Sequence, residues 1–363
     1  RKSNMKSRLE QQKINFKNLG TRLFSAKKLV LSQSTPYEVI AQFKQTSVRF
    51  YPSANKRFKE PLVFVAPLAI NMDIYDLYPY RSLVKHLQES GFDVYLIDWG
   101  KLTYKNYHIN FLSFIDKFIP KCIHAIQQHS KSEQISLHGW SMAGIFVTLY
   151  TARHQPNGVK NLMVLGSPID SYASGHIGKL YKNFARLTER NAAVKDYVHN
   201  RLPTWMIHSS GFMNSLGFKL LDPKGWLDGN IQLFKNLDNM KLLQEDATLS
   251  HFLNNMIDYP GGVNQDMLFN VWLQNPLKQG AITLKDQTIE LKNISCSLLV
   301  GAGKSDQLVT AAAAKPLTEL TSSQDVTFTM IPGGHLGLMA SQNSSIEFWP
   351  TLTTWLEQRS TQI

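Results

Sequence analysis

Short apolar runs spaced by helix-length amphipathic segments constrain this chain more than any other feature of its sequence. The runs cover residues 61–66, 94–98, 135–138, 162–166, 296–301 and 326–331. A strand covered on both faces reads as an unbroken β-rich run rather than an alternation, so the pattern predicts a mostly parallel central sheet with helices on both faces. Residues 80–89, 112–129 and 143–154 have the length and periodicity of the crossover helices. Ahead of them, residues 36–53 alternate apolar and polar side chains around Val39, Ile40, Val48 and Phe50, which predicts edge strands. From about residue 171 to residue 283 the rhythm stops, and Phe, Leu, Trp, Asn and basic residues follow one another without strand alternation. We expect there a mainly helical cap inserted between two core strands. The expected organisation is a basic leader over 1–34, a first core part over 35–170, the cap over 171–283 and a second core part over 284–363.

The third run leads into the strongest local motif, Ile135-Ser136-Leu137-His138-Gly139-Trp140-Ser141-Met142-Ala143-Gly144. A strand, a tight turn and a helix in that order form a nucleophile elbow, where small residues must stand two before and two after the nucleophile. Gly139 and Ala143 meet that demand around Ser141. The helix end behind the turn would offer the Met142 amide to a developing oxyanion. Serine is a weak nucleophile at neutral pH, so the motif calls for an acid and then a histidine later in the chain. Asp306 follows the run Ser297-Leu298-Leu299-Val300-Gly301, and His335 follows Ile331-Pro332-Gly333-Gly334. Both fall after strands, at the sheet edge where catalysts gather in open α/β folds. His335 is therefore expected to take the Ser141 proton, with Asp306 fixing its tautomer. Asp170, after the strand ending Gly166-Ser167-Pro168, is an alternative acid. The second oxyanion amide should come from the loop after residues 61–66, and because Pro67 has no N–H, Leu68 or Ala69 is the candidate. The fold class expected is α/β, specifically the α/β-hydrolase fold.

Composition narrows the alternatives. No apolar run approaches the roughly 18 to 20 residues a membrane span needs. Gly303-Lys304-Ser305 looks like the end of a phosphate loop, but Leu298 stands where that loop needs glycine. Neither H-E-x-x-H nor C-x-x-C occurs, so no metal is expected. Cys122 and Cys296 sit in apolar contexts that read as a helix and the start of a buried strand, and we expect two free thiols and a cytoplasmic location. The chain begins Arg1-Lys2 rather than with Met, which leaves an upstream segment open, and no apolar signal core follows the basic start, so nothing in it supports secretion. The net charge of +12 is concentrated at the start, where Arg1, Lys2, Lys6, Arg8, Lys13, Lys17, Arg22, Lys27 and Lys28 face one acid, Glu10. Leu9, Ile14, Phe16, Leu19, Leu23 and Phe24 intersperse that run at partly helical spacing, which suits a packed terminal helix or docking on an anionic membrane or granule surface. No aromatic-plus-basic motif for nucleic acid accompanies it.

Around these residues the words Val94-Tyr95-Leu96-Ile97-Asp98-Trp99-Gly100, Val159-Lys160-Asn161-Leu162, Ser167-Pro168-Ile169-Asp170, Gly334-His335-Leu336-Gly337-Leu338 and Phe348-Trp349-Pro350 resemble the polyhydroxyalkanoate synthases. The resemblance is closest to the class III catalytic subunit and runs from about Thr35 to Trp355. It implies a triad at Ser141, Asp306 and His335 acting on 3-hydroxyacyl coenzyme A thioesters, with coenzyme A as part of the substrate rather than a cofactor. It also implies an accessory subunit, or a second copy, as partner. Two departures matter: the synthase nucleophile is cysteine in G-x-C-x-G-G where this chain has Ser141 and Ala143, and Gln307 stands where the residue after the acid is commonly His. Serine esters are the ordinary route to hydrolysis, which points to a serine acyl hydrolase or acyltransferase acting on 3-hydroxyacyl esters, thioesters or polyester. A working synthase with an accessory subunit and a non-catalytic granule or membrane-surface scaffold are the competing readings. Trp205, Phe212, Trp226, Phe234 and Trp272 are the expected lining of an acyl channel in the cap.

Overall fold

In a computed structural model, which describes residues 2–68, 72–221 and 223–363, the apolar runs become the strands of one sheet. In chain order the described strands are β1 (Glu38–Phe43), β2 (Thr46–Tyr51), β3 (Leu62–Val65), β4 (Val94–Asp98), β5 (Ile135–Trp140), β6 (Val159–Leu165), β7 (Ala281–Leu284), β8 (Gln287–Glu290), β9 (Ser297–Gly303) and β10 (Val326–Ile331). Eight of them align in the order β1-β2-β4-β3-β5-β6-β9-β10. From β4 to β10 all neighbours are parallel, while β1 and β2 form an antiparallel hairpin at one edge. The outermost strand, β1, is exposed or half-buried along its length, as the alternation over 36–53 predicted.

Side chains of one strand point alternately to opposite faces. Val63 and Val65 enter one hydrophobic layer with Phe111, Phe114, Ile119, Ile123 and Phe146. Leu62 and Phe64 enter the other with Leu83, Leu87, Phe348, Leu352 and Leu356. Both faces of the central strands are thus covered, which is why β3 is wholly buried and its sequence shows no polar interruption. The crossover helix after β3 begins at Leu83 rather than near residue 80, because Ser82 caps it by accepting from the Lys85 amide. Helical structure extends over 111–130 between β4 and β5, and the helix Met142–Arg153 links β5 to β6.

Between β6 and β9 the chain leaves the sheet. Helices Gly175–Glu189, Gly211–Leu221, Pro223–Lys235 and Met240–Asn254 follow, then a helical run through 261–273. The antiparallel hairpin β7–β8 comes next, and its first strand straddles the expected boundary between residues 283 and 284. The basic leader folds into the helix Lys2–Phe24 and a short turn Ala26–Leu29. Among the described residues no helix is long and apolar enough to cross a membrane.

Candidate active site

β5 ends against a turn that the sequence alone could only suggest. Ser141 has φ 59° and ψ −124°, a conformation that costs a side-chain-bearing residue about 1–3 kcal/mol. Surrounding bonds hold it there: the Ser141 amide donates to the Leu165 carbonyl at 2.8 Å, and the Ser167 hydroxyl donates to the Ser141 carbonyl at 2.7 Å. A Cβ on Gly139 would lie 2.5 Å from the Ala143 carbonyl oxygen, and one on Gly144 would lie 1.8 Å from Ser167 Oγ. The expected need for a small residue at 139 is met by direct contact. Gly144, which the motif reading did not single out, is tighter still.

Ser141 Oγ lies 2.8 Å from His335 Nε2, and His335 Nδ1 lies 2.7 Å from Asp306 Oδ2. The other carboxylate oxygen of Asp306 accepts from the amides of Leu308 and Val309, each at 2.9 Å. Asp306 can only accept when ionised, so the network assigns the proton to His335 Nδ1 and leaves Nε2 to accept from the serine hydroxyl. The Asp306 side chain is fully buried and that of His335 nearly so, which strengthens each of these bonds relative to water. β5, β9 and β10 deliver the three residues from their carboxyl ends, with Gly333 at φ 111° turning the last loop toward the serine. Asp170 does not share in this: it accepts from Asn275 Nδ2 at 2.8 Å and lies 3.6 Å from Lys278 Nζ. His335 is held by Asp306, because Asp170 is turned toward the segment ahead of β7. The arrangement can pass a proton from a hydroxyl to an imidazole whose charge a buried carboxylate stabilises.

An alpha/beta hydrolase fold family model matches residues 71–341, well over half of the chain. The chain belongs to the α/β-hydrolase fold family. The resemblance to polyhydroxyalkanoate synthases is also borne out. The poly(3-hydroxyalkanoate) polymerase subunit PhaC of Haloferax mediterranei is 27% identical over 328 residues, 90% of this chain and 64% of that protein. Its counterpart in Allochromatium vinosum is 26% identical over 299 residues, 82% of this chain and 81% of that one. That of Synechocystis is 27% identical over 333 residues, 90% and 85% of the two chains. This chain spans less than two thirds of the Haloferax and Haloarcula relatives.

In this α/β-hydrolase Met142 opens the helix behind Ser141, where backbone amides lack partners within the helix. Leu68 is buried in the loop after β3, whose exit the Trp99 indole pins by donating to the Ala66 carbonyl at 2.7 Å; Ala69 lies outside the described residues. Both cysteines are unpaired, and burial pushes the Cys122 thiol up to about 12 and the Cys296 thiol up to about 11. Cys296 is only half-buried and precedes β9 rather than starting it.

Two features escaped the sequence reading. Trp140 lies against the His335 imidazole, with ring centroids 5.6 Å apart, and Ser167 clamps the elbow. Their only sequence signals were adjacency to Ser141 and to the end of β6. The expected acyl-channel lining needs correction. Trp205, on the short turn Thr204–Met206, and Phe212 and Phe234, on helices, are each more than half exposed and so stand open to solvent. Trp272 is buried against Tyr181, with ring centroids 5.3 Å apart. The Trp226 side chain lies outside the described residues.

Proposed function

We propose that the protein is a serine acyl hydrolase or acyltransferase acting on 3-hydroxyacyl esters, thioesters or their oligomers through Ser141, His335 and Asp306. The observation that carries the reading is the 2.8 Å approach of Ser141 Oγ to an imidazole already held by a buried carboxylate. As Oγ attacks the acyl carbon, its proton passes to His335 Nε2. The carbonyl oxygen becomes an oxyanion beside the Met142 amide, with the Leu68 or Ala69 amide as second donor. Collapse breaks the bond to the leaving group, and His335 returns the proton to it, releasing a thiol such as coenzyme A or an alcohol. His335 then takes a proton from water, whose oxygen attacks the acyl-serine; the bond to Oγ breaks, His335 returns the proton to Ser141, and the 3-hydroxy acid leaves. No cofactor enters these steps.

A second reading has support of its own. Identity of 26–27% with polymerase subunits favours transfer of the acyl group to a chain-end hydroxyl instead of water, with an accessory subunit or a second copy as partner. The test is incubation with 3-hydroxyacyl thioester: free acid supports hydrolysis, and sustained polymer replaces it with polymerisation. A fluorophosphonate should label the protein and fail to label Ser141→Ala. Absence of labelling in both would leave a non-catalytic scaffold.

A further inference from the structure

The helix Lys2–Phe24 has a held side and an open side. On the held side, Asn18 Nδ2 donates to the Leu237 carbonyl at 2.8 Å, while Arg22 donates to Asp246 at 2.8 Å and to Ser250 Oγ at 2.9 Å. Those bonds lay the helix along Met240–Asn254 and the turn before it. On the open side stand Met5, Leu9, Phe16 and Leu23, all exposed, with Phe16 at 80%. Their spacings of four, seven and seven residues are close to whole helical turns, so they form one stripe, about 135° around the axis from Asn18 and Arg22. Exposed Lys6, Lys13 and Lys17 run beside that stripe, and residues 1–28 contain a single acid, Glu10.

Around the same central helix pack Gly211–Leu221 and Pro223–Lys235. The first turns Phe212, Leu216 and Leu220 outward, and the second Leu227, Ile231 and Phe234. Exposed apolar faces of this extent mark a binding surface. A second copy is a poor occupant, because pairing two chains of net charge +12 through a lysine-lined face adds repulsion. A neutral apolar partner leaves the lysine row without a counterpart. An anionic lipid interface satisfies both features: apolar side chains enter the boundary between headgroups and acyl chains while lysines meet the phosphates.

We infer that the open side of the helix Lys2–Phe24 docks on an anionic phospholipid bilayer, with the helix lying in the plane of the interface. The interaction is independent of any chemistry at Ser141. The test is co-sedimentation of the full chain with phosphatidylcholine vesicles, with and without phosphatidylglycerol. Binding should be at least ~tenfold tighter on the anionic vesicles and should weaken steeply with salt. Changing Lys6, Lys13 and Lys17 together to Glu should weaken it on the order of a hundredfold, and Phe16→Ser about tenfold. These side chains are exposed, so an unchanged thermal midpoint certifies the fold of each variant, and Ser141→Ala should bind like wild type. Equal binding to both vesicle types, or none to either, overturns the proposal. So does concentration-dependent self-association that Phe16→Ser abolishes, which would make a second copy the occupant.

Discussion

At the carboxyl edge of the sheet Trp99 and Trp140 are buried to within 1%, whereas on the outer inserted helices Phe212 and Phe234 stand 77% and 59% exposed. Aromatic side chains of one chemistry therefore serve two environments in this chain. In the core each apolar residue sits on a strand or crossover helix that has a partner layer on its other side. The outer helices Gly211–Leu221 and Pro223–Lys235 pack on Met240–Asn254 and on each other, which leaves Phe212 and Phe234 uncovered. Burial at the edge also makes its polar groups costly to disturb, so charge and hydrogen bonding there decide both chemistry and stability.

If the edge carries the chemistry and the outer layer does not, Ser141→Ala should lower kcat/KM by at least ~10⁴-fold on any acyl ester the wild type turns over, with little change in thermal midpoint. Retention of turnover in that variant would move the reaction elsewhere.

The next effect is on stability against pH. His138 is buried beside Phe64 and Tyr75, with ring centroids 4.6 and 6.5 Å away, and burial lowers its imidazole to about 3. Below the ordinary histidine value the unfolded chain takes up a proton that the folded chain refuses. Stability is thus present at neutral pH and lost on acidification from about 6.5 toward 3, on the order of 1.4 kcal/mol per pH unit. Denaturant melts of His138→Phe across that range should show a flatter profile than wild type.

Gly144→Ala comes third. It sets a Cβ 1.8 Å from Ser167 Oγ, so the clamp on the Ser141 carbonyl must give way. A loss of about 3 kcal/mol in unfolding free energy, with reduced turnover, is expected.

Asp266 gives the opposite pH slope to His138. Burial pushes its carboxyl up to about 6, although it accepts from the Phe111 amide at 2.9 Å and from Asn270 at 2.7 Å. With a folded value above the unfolded one, its contribution is complete below about pH 4 and is lost as pH rises through 6. Asp266→Asn should therefore gain on wild type by on the order of 2 kcal/mol between those limits, read from the same melts. The smallest effect belongs to the outer layer: Phe212→Ser should shift unfolding free energy by less than ~0.5 kcal/mol, and a larger loss would mean that its helix face is covered.

The sheet was legible because burial on two faces removes polar residues from a strand, and β3 carries that mark directly. The elbow was legible because a strained turn admits only small neighbours. Helix starts were less so: Ser82 as a cap is decided by one hydroxyl meeting the Lys85 amide, and nothing in the apolar periodicity reports it. The outward placement of Phe212 and Phe234 was illegible for a similar reason, since a helix stripe looks the same in sequence whether or not another layer covers it.

The order Ser141, Asp306, His335 and the strand before each were determined by the sequence, because local chain geometry sets which residues can sit at strand ends. Only the tertiary structure decided that His335 pairs with Asp306 rather than Asp170, and which apolar faces remain open. The first depends on His335 meeting Asp306, 29 residues earlier, while Asp170 is taken up by Asn275, 105 residues on; the second depends on which helices pack on one another, and no local pattern encodes either.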